Sequence, residues 1–262
     1  MAEIVPPPVA ETERKETLLL VLCALFIGFF VTADLMGAKL WHFTILGLRP
    51  RHLGLGGDEF IATTGILAFP LTFILTDIVN EYYGRKVVRT LTILAIMVNL
   101  LLQPVVQTAI RVPTITFGGP TAVEMHQAYQ LAFGQTWSIV VASLCAFTFG
   151  QFLDIWIFTW LRRKTGGRML WLRAQGSTLV SQLIDTFVVI FLAFVIIPAL
   201  VGGQPWPVAG AFTVSLTNYI YKFVIAVAVT PVLYLVHFGV DAWLGKDEAA
   251  IAVREAHPAD PA

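Results

Sequence analysis

Charge is scarce in this sequence. Seventeen basic and seventeen acidic side chains among 262 residues leave 13% charged against 57% hydrophobic, too little polar material to cover a soluble core of that size. Cysteine is almost absent: Cys23 and Cys145 lie in different apolar runs and form no Cys-x-x-Cys pair. Neither a disulfide framework nor a zinc site is suggested, and both read as packing residues. Gly245-Lys246 lacks the upstream glycine of a phosphate-binding loop, which removes nucleotide hydrolysis. There is no His-Glu-x-x-His, no Gly-x-Ser-x-Gly and no paired Asp-rich motif of the kind that holds magnesium and diphosphate. No catalytic residue, metal ligand or cofactor is therefore indicated.

What is present is a series of long apolar runs. A bilayer-spanning helix needs roughly 20 mostly apolar residues, and such runs recur at Leu18–Met36, Phe60–Val79, Val87–Ala109, Thr136–Leu161, Thr178–Val201 and Ala211–Val236. The expected fold is all-α, a polytopic bundle of about six transmembrane helices. Residues 1–16 and 241–262 are expected as flexible cytoplasmic ends around a six-helix transmembrane domain at 17–240. The first run is too long for the core of a cleaved signal peptide and is followed by five more.

Orientation follows from the division of Lys and Arg between alternate loops. Arg14, Lys15, Arg85, Lys86, Arg89, Arg162, Arg163, Lys164, Arg168, Arg173, Lys246 and Arg254 fall on one side, against Arg49, Arg51 and Arg111 on the other. Both termini are expected in the cytoplasm. Between the first two runs, Trp41–Glu59 has a short alternating stretch with Gly54, Gly56 and Gly57, suited to a loop or hairpin. Trp41, Trp137 and Trp206 read as one aromatic belt, and Trp160, Trp171 and Trp243 as the other.

Carboxylates inside such helices are costly and usually face a bundle interior or a watery cavity. At 1.5 Å per residue, Asp154 lies roughly 12 Å from Arg162, Asp185 roughly 12 Å from Ser177, and Asp77 roughly 9 Å from Tyr83. The three are expected at one depth. Residues three or four apart share a helix face, which groups Asp77 with Asn80 and Glu81, Asp154 with Gln151, Asp185 with Gln182, and Asn218 with Lys222. Gly150-Gln151-Phe152-Leu153-Asp154 echoes Ser181-Gln182-Leu183-Ile184-Asp185. Lys222 can neutralise only one carboxylate, so either some are protonated or a cationic or donor-rich solute completes the balance. Asp34 and Lys39 read as an interfacial ion pair in preference to an outer gate, Pro70 as a kink beside the site or an ordinary membrane-helix proline, and Ser177 as a helix N-cap.

The run Phe69-Pro70-Leu71-Thr72-Phe73-Ile74-Leu75-Thr76-Asp77-Ile78-Val79-Asn80-Glu81-Tyr82-Tyr83-Gly84-Arg85-Lys86 resembles the signature of the queuosine precursor transporter family, also called the vitamin uptake transporter family. The stretches at 150–158, 171–173 and 176–186 fit it as well. The resemblance implies an inner-membrane importer of 7-cyano-7-deazaguanine, and of its aminomethyl relative, for salvage into tRNA queuosine. Its partners would be that small solute and the bilayer, with no nucleic acid, and homo-oligomerisation is left open. On this reading Asp77, Glu81, Asp154 and Asp185 form a polar floor. Asn80, Gln151, Gln182 and Asn218 read the solute's amide edge, Lys222 is the charge partner, and Trp156, Tyr82 or Phe158 stack on the ring. A substrate-capture subunit of an ATP-driven importer and a membrane-embedded enzyme are the competing readings.

Overall fold

The computed structural model describes residues 9–44, 47, 49–53, 58–164 and 170–256. Helix α1 runs over Val9–Met36 and is followed by a two-stranded antiparallel ribbon, β1 at Leu40–Phe43 and β2 at Phe60–Thr63. The helices that follow are α2 Phe69–Tyr83, α3 Arg85–Arg111, α4 Ala122–Phe133, α5 Thr136–Lys164 and α6 Leu170–Phe191. A π turn at Leu192–Ile196 leads into α7 Ile197–Leu200, and then come α8 Val208–Leu244 and α9 Lys246–Ala256. Among the described residues, six segments are long and apolar enough to cross a membrane: Glu13–Met36, Thr64–Tyr83, Arg85–Arg111, Ala122–Gly150, Val180–Leu200 and Val208–Leu244. The chain is an all-α membrane protein with six such spans.

Several boundaries differ from the sequence expectation, each for a local reason. Phe60–Thr63 pairs with Leu40–Phe43 in the register Leu40 to Thr63 and Phe43 to Phe60, so the second span starts later. Its β-branched and aromatic residues suit a strand as well as a membrane helix. Pro70 lies in the first turn of α2, where its missing N–H costs no helical bond, so it introduces no kink. Ser177 is internal to α6, which starts at Leu170, and is not an N-cap. Helix also occupies stretches read as chain ends, from Val9 in α1 and over Lys246–Ala256 in α9. Helix α8, at 37 residues, is about 55 Å long, well beyond a hydrocarbon core of roughly 30 Å.

The chain divides into two compact units: Met1–Thr32 with Leu67–Val98 and Val224–Ala262, and Ala33–Ile66 with Asn99–Phe223. The core of the first unit includes Leu75, Ile78, Val79 and Tyr82 on one stripe of α2, spaced i, i+3, i+4, i+7. Against it pack Leu22 and Phe26 of α1, Leu91 and Ala95 of α3, Val240 and Leu244 of α8, and Ala249 and Ala252 of α9. Between α2 and α3, Gly84 has φ +83° and a Cβ there would sit 2.9 Å from the Ala256 carbonyl oxygen, so only glycine lets the end of α9 approach.

In the second unit, Ile139 and Ala142 of α5 pack with Ile190, Ala193, Phe194, Ala211 and Val214. Trp206 stacks on Phe194 at 4.1 Å and donates its backbone N–H to the Phe194 carbonyl at 2.8 Å. The Thr64 hydroxyl, just past β2, binds the backbone carbonyls of Met36 and Lys39. A Cβ on Gly65 would overlap the Ala33 carbonyl oxygen.

Candidate functional site

Among the described residues, three polar groupings lie within the spanning helices. The first is centred on Lys222 of α8. Its Nζ donates to Thr186 Oγ1 at 3.1 Å, and to Gln182 Oε1 and Asp185 Oδ2 at 3.4 Å each. Gln182, Asp185 and Thr186 fall at i, i+3 and i+4 on α6, one turn of one face. The Thr186 hydroxyl in turn donates to the Gln182 carbonyl at 2.8 Å. The side chains of Lys222 and Asp185 are 19% and 33% exposed, so the ammonium is largely enclosed while the carboxylate keeps an accessible side. Gln182, Asp185 and Lys222, all candidate site residues in the sequence, therefore meet in one cluster.

Asn218, one turn before Lys222, is buried and engaged elsewhere. Its Oδ1 accepts the Thr63 N–H at 3.3 Å and its Nδ2 donates to the Thr63 hydroxyl at 3.3 Å. It ties α8 to the end of β2 rather than presenting an open amide. Next to Lys222 in sequence, Tyr221 stands edge-on to Phe43 and Trp41, which stack on each other at 4.6 Å.

The second grouping belongs to the first unit. Asp77 Oδ2 lies 3.0 Å from His237 Nε2, and His237 Nδ1 lies 3.3 Å from the Tyr82 hydroxyl. That hydroxyl donates to Asp241 Oδ1 at 2.6 Å. The result is a hydrogen-bonded chain, Asp77 to His237 to Tyr82 to Asp241, between α2 and α8. Tyr82 is buried in it with its ring stacked near that of His237, so it is not a free stacking platform. Trp156 is 67% exposed. Asn80 and Glu81 sit half-buried on the same turn of α2, and the Asn80 carbonyl accepts the Gly84 N–H at 3.0 Å. The side chains of Gln151, Asp154 and Phe158 lie outside the described residues.

The third grouping surrounds Asp34 of α1, in the second unit. Its Oδ2 accepts from Asn99 Nδ2 of α3 at 2.7 Å and its Oδ1 from the Ser143 hydroxyl of α5 at 3.3 Å. Among the described residues no ion pair joins Asp34 to Lys39, so the expected interfacial pair is replaced by two neutral donors from other helices.

Sequence reasoning missed His237 and Asp241 because the apolar window was closed at Val236, although a His and an Asp four residues apart already marked one face. It also missed Asn99 and Ser143, single neutral residues inside apolar runs.

The described residues hold no group of three or more His, Cys, Asp and Glu able to bind a metal. What the clusters offer is a set of hydrogen-bond acceptors and donors inside membrane-spanning helices, which suits recognition of a polar solute.

Comparison with known proteins agrees with that character. A family model described as "Putative vitamin uptake transporter" matches residues 63–236. The chain is 33% identical over 176 residues to a Bacillus subtilis (strain 168) protein named "Probable queuosine precursor transporter", covering 66% of this chain and 70% of that protein. It is 26% identical over 182 residues to the Escherichia coli (strain K12) "Queuosine precursor transporter", covering 69% and 73%. A Haemophilus influenzae protein named "Probable queuosine precursor transporter" is 24% identical over 194 residues, 74% of each chain. No solved structure matches. With six spans and relatives named as transporters, the chain is a multi-pass inner-membrane transporter protein rather than an enzyme. It belongs to the queuosine precursor transporter family, the vitamin uptake transporter family.

Proposed function

We propose that this protein imports queuosine precursors, 7-cyano-7-deazaguanine and its 7-aminomethyl relative, across the inner membrane for salvage into tRNA queuosine, with both chain ends in the cytoplasm. The observation that carries the reading is the Lys222 cluster: a largely enclosed ammonium held by Gln182, Asp185 and Thr186, with the Asp185 carboxylate one-third exposed. A deazaguanine presents a ring N–H and an exocyclic amino group side by side. One carboxylate can accept from both, as acidic side chains do from base edges. The Lys222 ammonium, whose contacts go to Gln182, Asp185 and Thr186, holds the Asp185 carboxylate in position as the acceptor.

Asp77, Asn80 and Glu81 in the first unit, and Gln151 and Asp154 in the second, are further proposed solute-binding residues, and Asn218 supports the Lys222 cluster through Thr63. The test is tRNA queuosine content in cells unable to make the precursor, grown with limiting 7-cyano-7-deazaguanine, with and without this protein. Queuosine should depend on the protein, and equal queuosine in both strains would refute the reading. Asp77→Asn and Asp154→Asn proteins, inserted at normal levels, are expected to lower that dependence.

A further inference from the structure

Asn99, Gln103 and Gln107 fall at i, i+4 and i+8 along α3, a row of three amides about 12 Å long on one face. Asn99 is 0% exposed and Gln103 is 9% exposed. Each of the three carries a buried polar atom with no hydrogen-bond partner among the described residues: Asn99 Oδ1, Gln103 Nε2 and Gln107 Nε2. Two of the amides are engaged at their other ends. Asn99 Nδ2 donates to the Asp34 carboxylate, which leaves its Oδ1 as the unmatched acceptor. Gln103 meets Thr136, whose hydroxyl lies 3.1 Å from Gln103 Oε1 and 2.8 Å from the Phe133 carbonyl. Thr136 has one hydroxyl proton, so whichever way the Gln103 amide is turned, one of its polar atoms stays unmatched. Pro104 follows directly, bringing no N–H to the Leu100 carbonyl.

Leaving buried polar atoms unmatched is costly, and native proteins keep few of them. Three on successive turns of one helix, backed by a carboxylate, are better explained by a ligand than by packing. Helix-to-helix glue would use these atoms on α1 or α5, as the other ends of Asn99 and Gln103 already are. The row offers an acceptor at Asn99, either sign at Gln103 and a donor at Gln107. Its complement is a flat molecule with N–H donors and carbonyl or nitrile acceptors along one edge.

We infer that the Asn99–Gln103–Gln107 row, with Asp34 behind it, is the wall of the second unit that reads the edge of a planar lactam-bearing heterocycle. This rests on the import reading above and assigns solute recognition to residues on α3.

The test is titration of purified full-length protein with 7-cyano-7-deazaguanine, for wild type, Gln107→Met and Gln103→Met. Methionine keeps the shape of glutamine while removing the amide. Each variant should bind the base about 5–10-fold more weakly, the size of one lost hydrogen bond. In the absence of ligand each should melt at or above the wild-type temperature, because an unmatched buried group has been removed. Weaker binding with unchanged or raised melting supports the inference. Variants that bind as tightly as wild type overturn it and leave the import reading standing, as does loss of melting temperature in parallel with affinity, the mark of a structural role. If wild type itself binds no 7-cyano-7-deazaguanine, the import reading falls and this one with it.

Discussion

Replacing Lys222 should expose how the α6 cluster is balanced. In Lys222→Met the ammonium disappears and Asp185, two-thirds shielded from solvent, is left beside Gln182 and Thr186 with no cation. Breaking a fully buried ion pair costs about 3–5 kcal/mol and breaking an exposed one about 0–1 kcal/mol. This pair, at 3.4 Å with one partner 19% and the other 33% exposed, lies between, so about 1.5–3 kcal/mol is expected. For a protein of this size that is a fall in melting temperature of roughly 3–10 °C. Asp185→Asn alone should cost less, because Lys222 keeps Gln182 and Thr186 as acceptors. The decisive measurement is the double variant. With the carboxylate neutralised, removing Lys222 strands no charge, so Lys222→Met with Asp185→Asn should lose at least about 1 kcal/mol less than the sum of the singles. The assay is thermal unfolding of the four proteins in one detergent. Additive losses would show that Lys222 does not serve Asp185, and the site described around it would have to be abandoned.

Three further outcomes follow from other contacts. Tyr82→Phe removes the 2.6 Å bond to Asp241 and the contact with His237; a loss of about 1–3 kcal/mol is expected on thermal unfolding, and no change would mean that the relay is not formed. Gly65→Ala drives a methyl into the Ala33 carbonyl oxygen; backbone must shift, costing about 1–3 kcal/mol, and a variant that melts like wild type would contradict the close approach. Glu255→Gln breaks the exposed pair with Lys15, and its melting temperature should stay within the effect of about 0.5 kcal/mol expected for surface substitutions.

The parts of the fold that were legible in the sequence are those carried by local periodicity. The stripe Leu75, Ile78, Val79, Tyr82 could be read directly, and so could the shared face of Gln182 and Asp185, because both depend only on residues within two turns. Lys222 was legible as a cation in an apolar run, but its meeting with Asp185 spans 37 positions and depends on how α6 and α8 pack. Asn218 shows the limit: spacing placed it beside Lys222, yet its partner Thr63 is 155 residues away and takes both ends of the amide. Helix α4 was missed although Thr121-Ala122-Val123-Glu124 forms a capping box, with both reciprocal bonds present. Asn99, Gln103 and Gln107 were equally visible at four-residue spacing, but a neutral amide barely lowers the hydropathy of a long apolar run. Only the packing of α1 and α5 against them shows which of their atoms are matched.

The π turn at Leu192–Ile196 changes how functional data along this stretch should be read. One extra residue in a helical turn rotates everything beyond it by about 100°. Sensitivity to substitution along Val180–Leu200 should therefore keep a single phase, set by Gln182, Asp185 and Thr186, only as far as Phe191, and resume out of step from Ile197. A scan fitted to one uninterrupted 3.6-residue wave would assign Pro198 and Leu200 to the wrong side of their own helix.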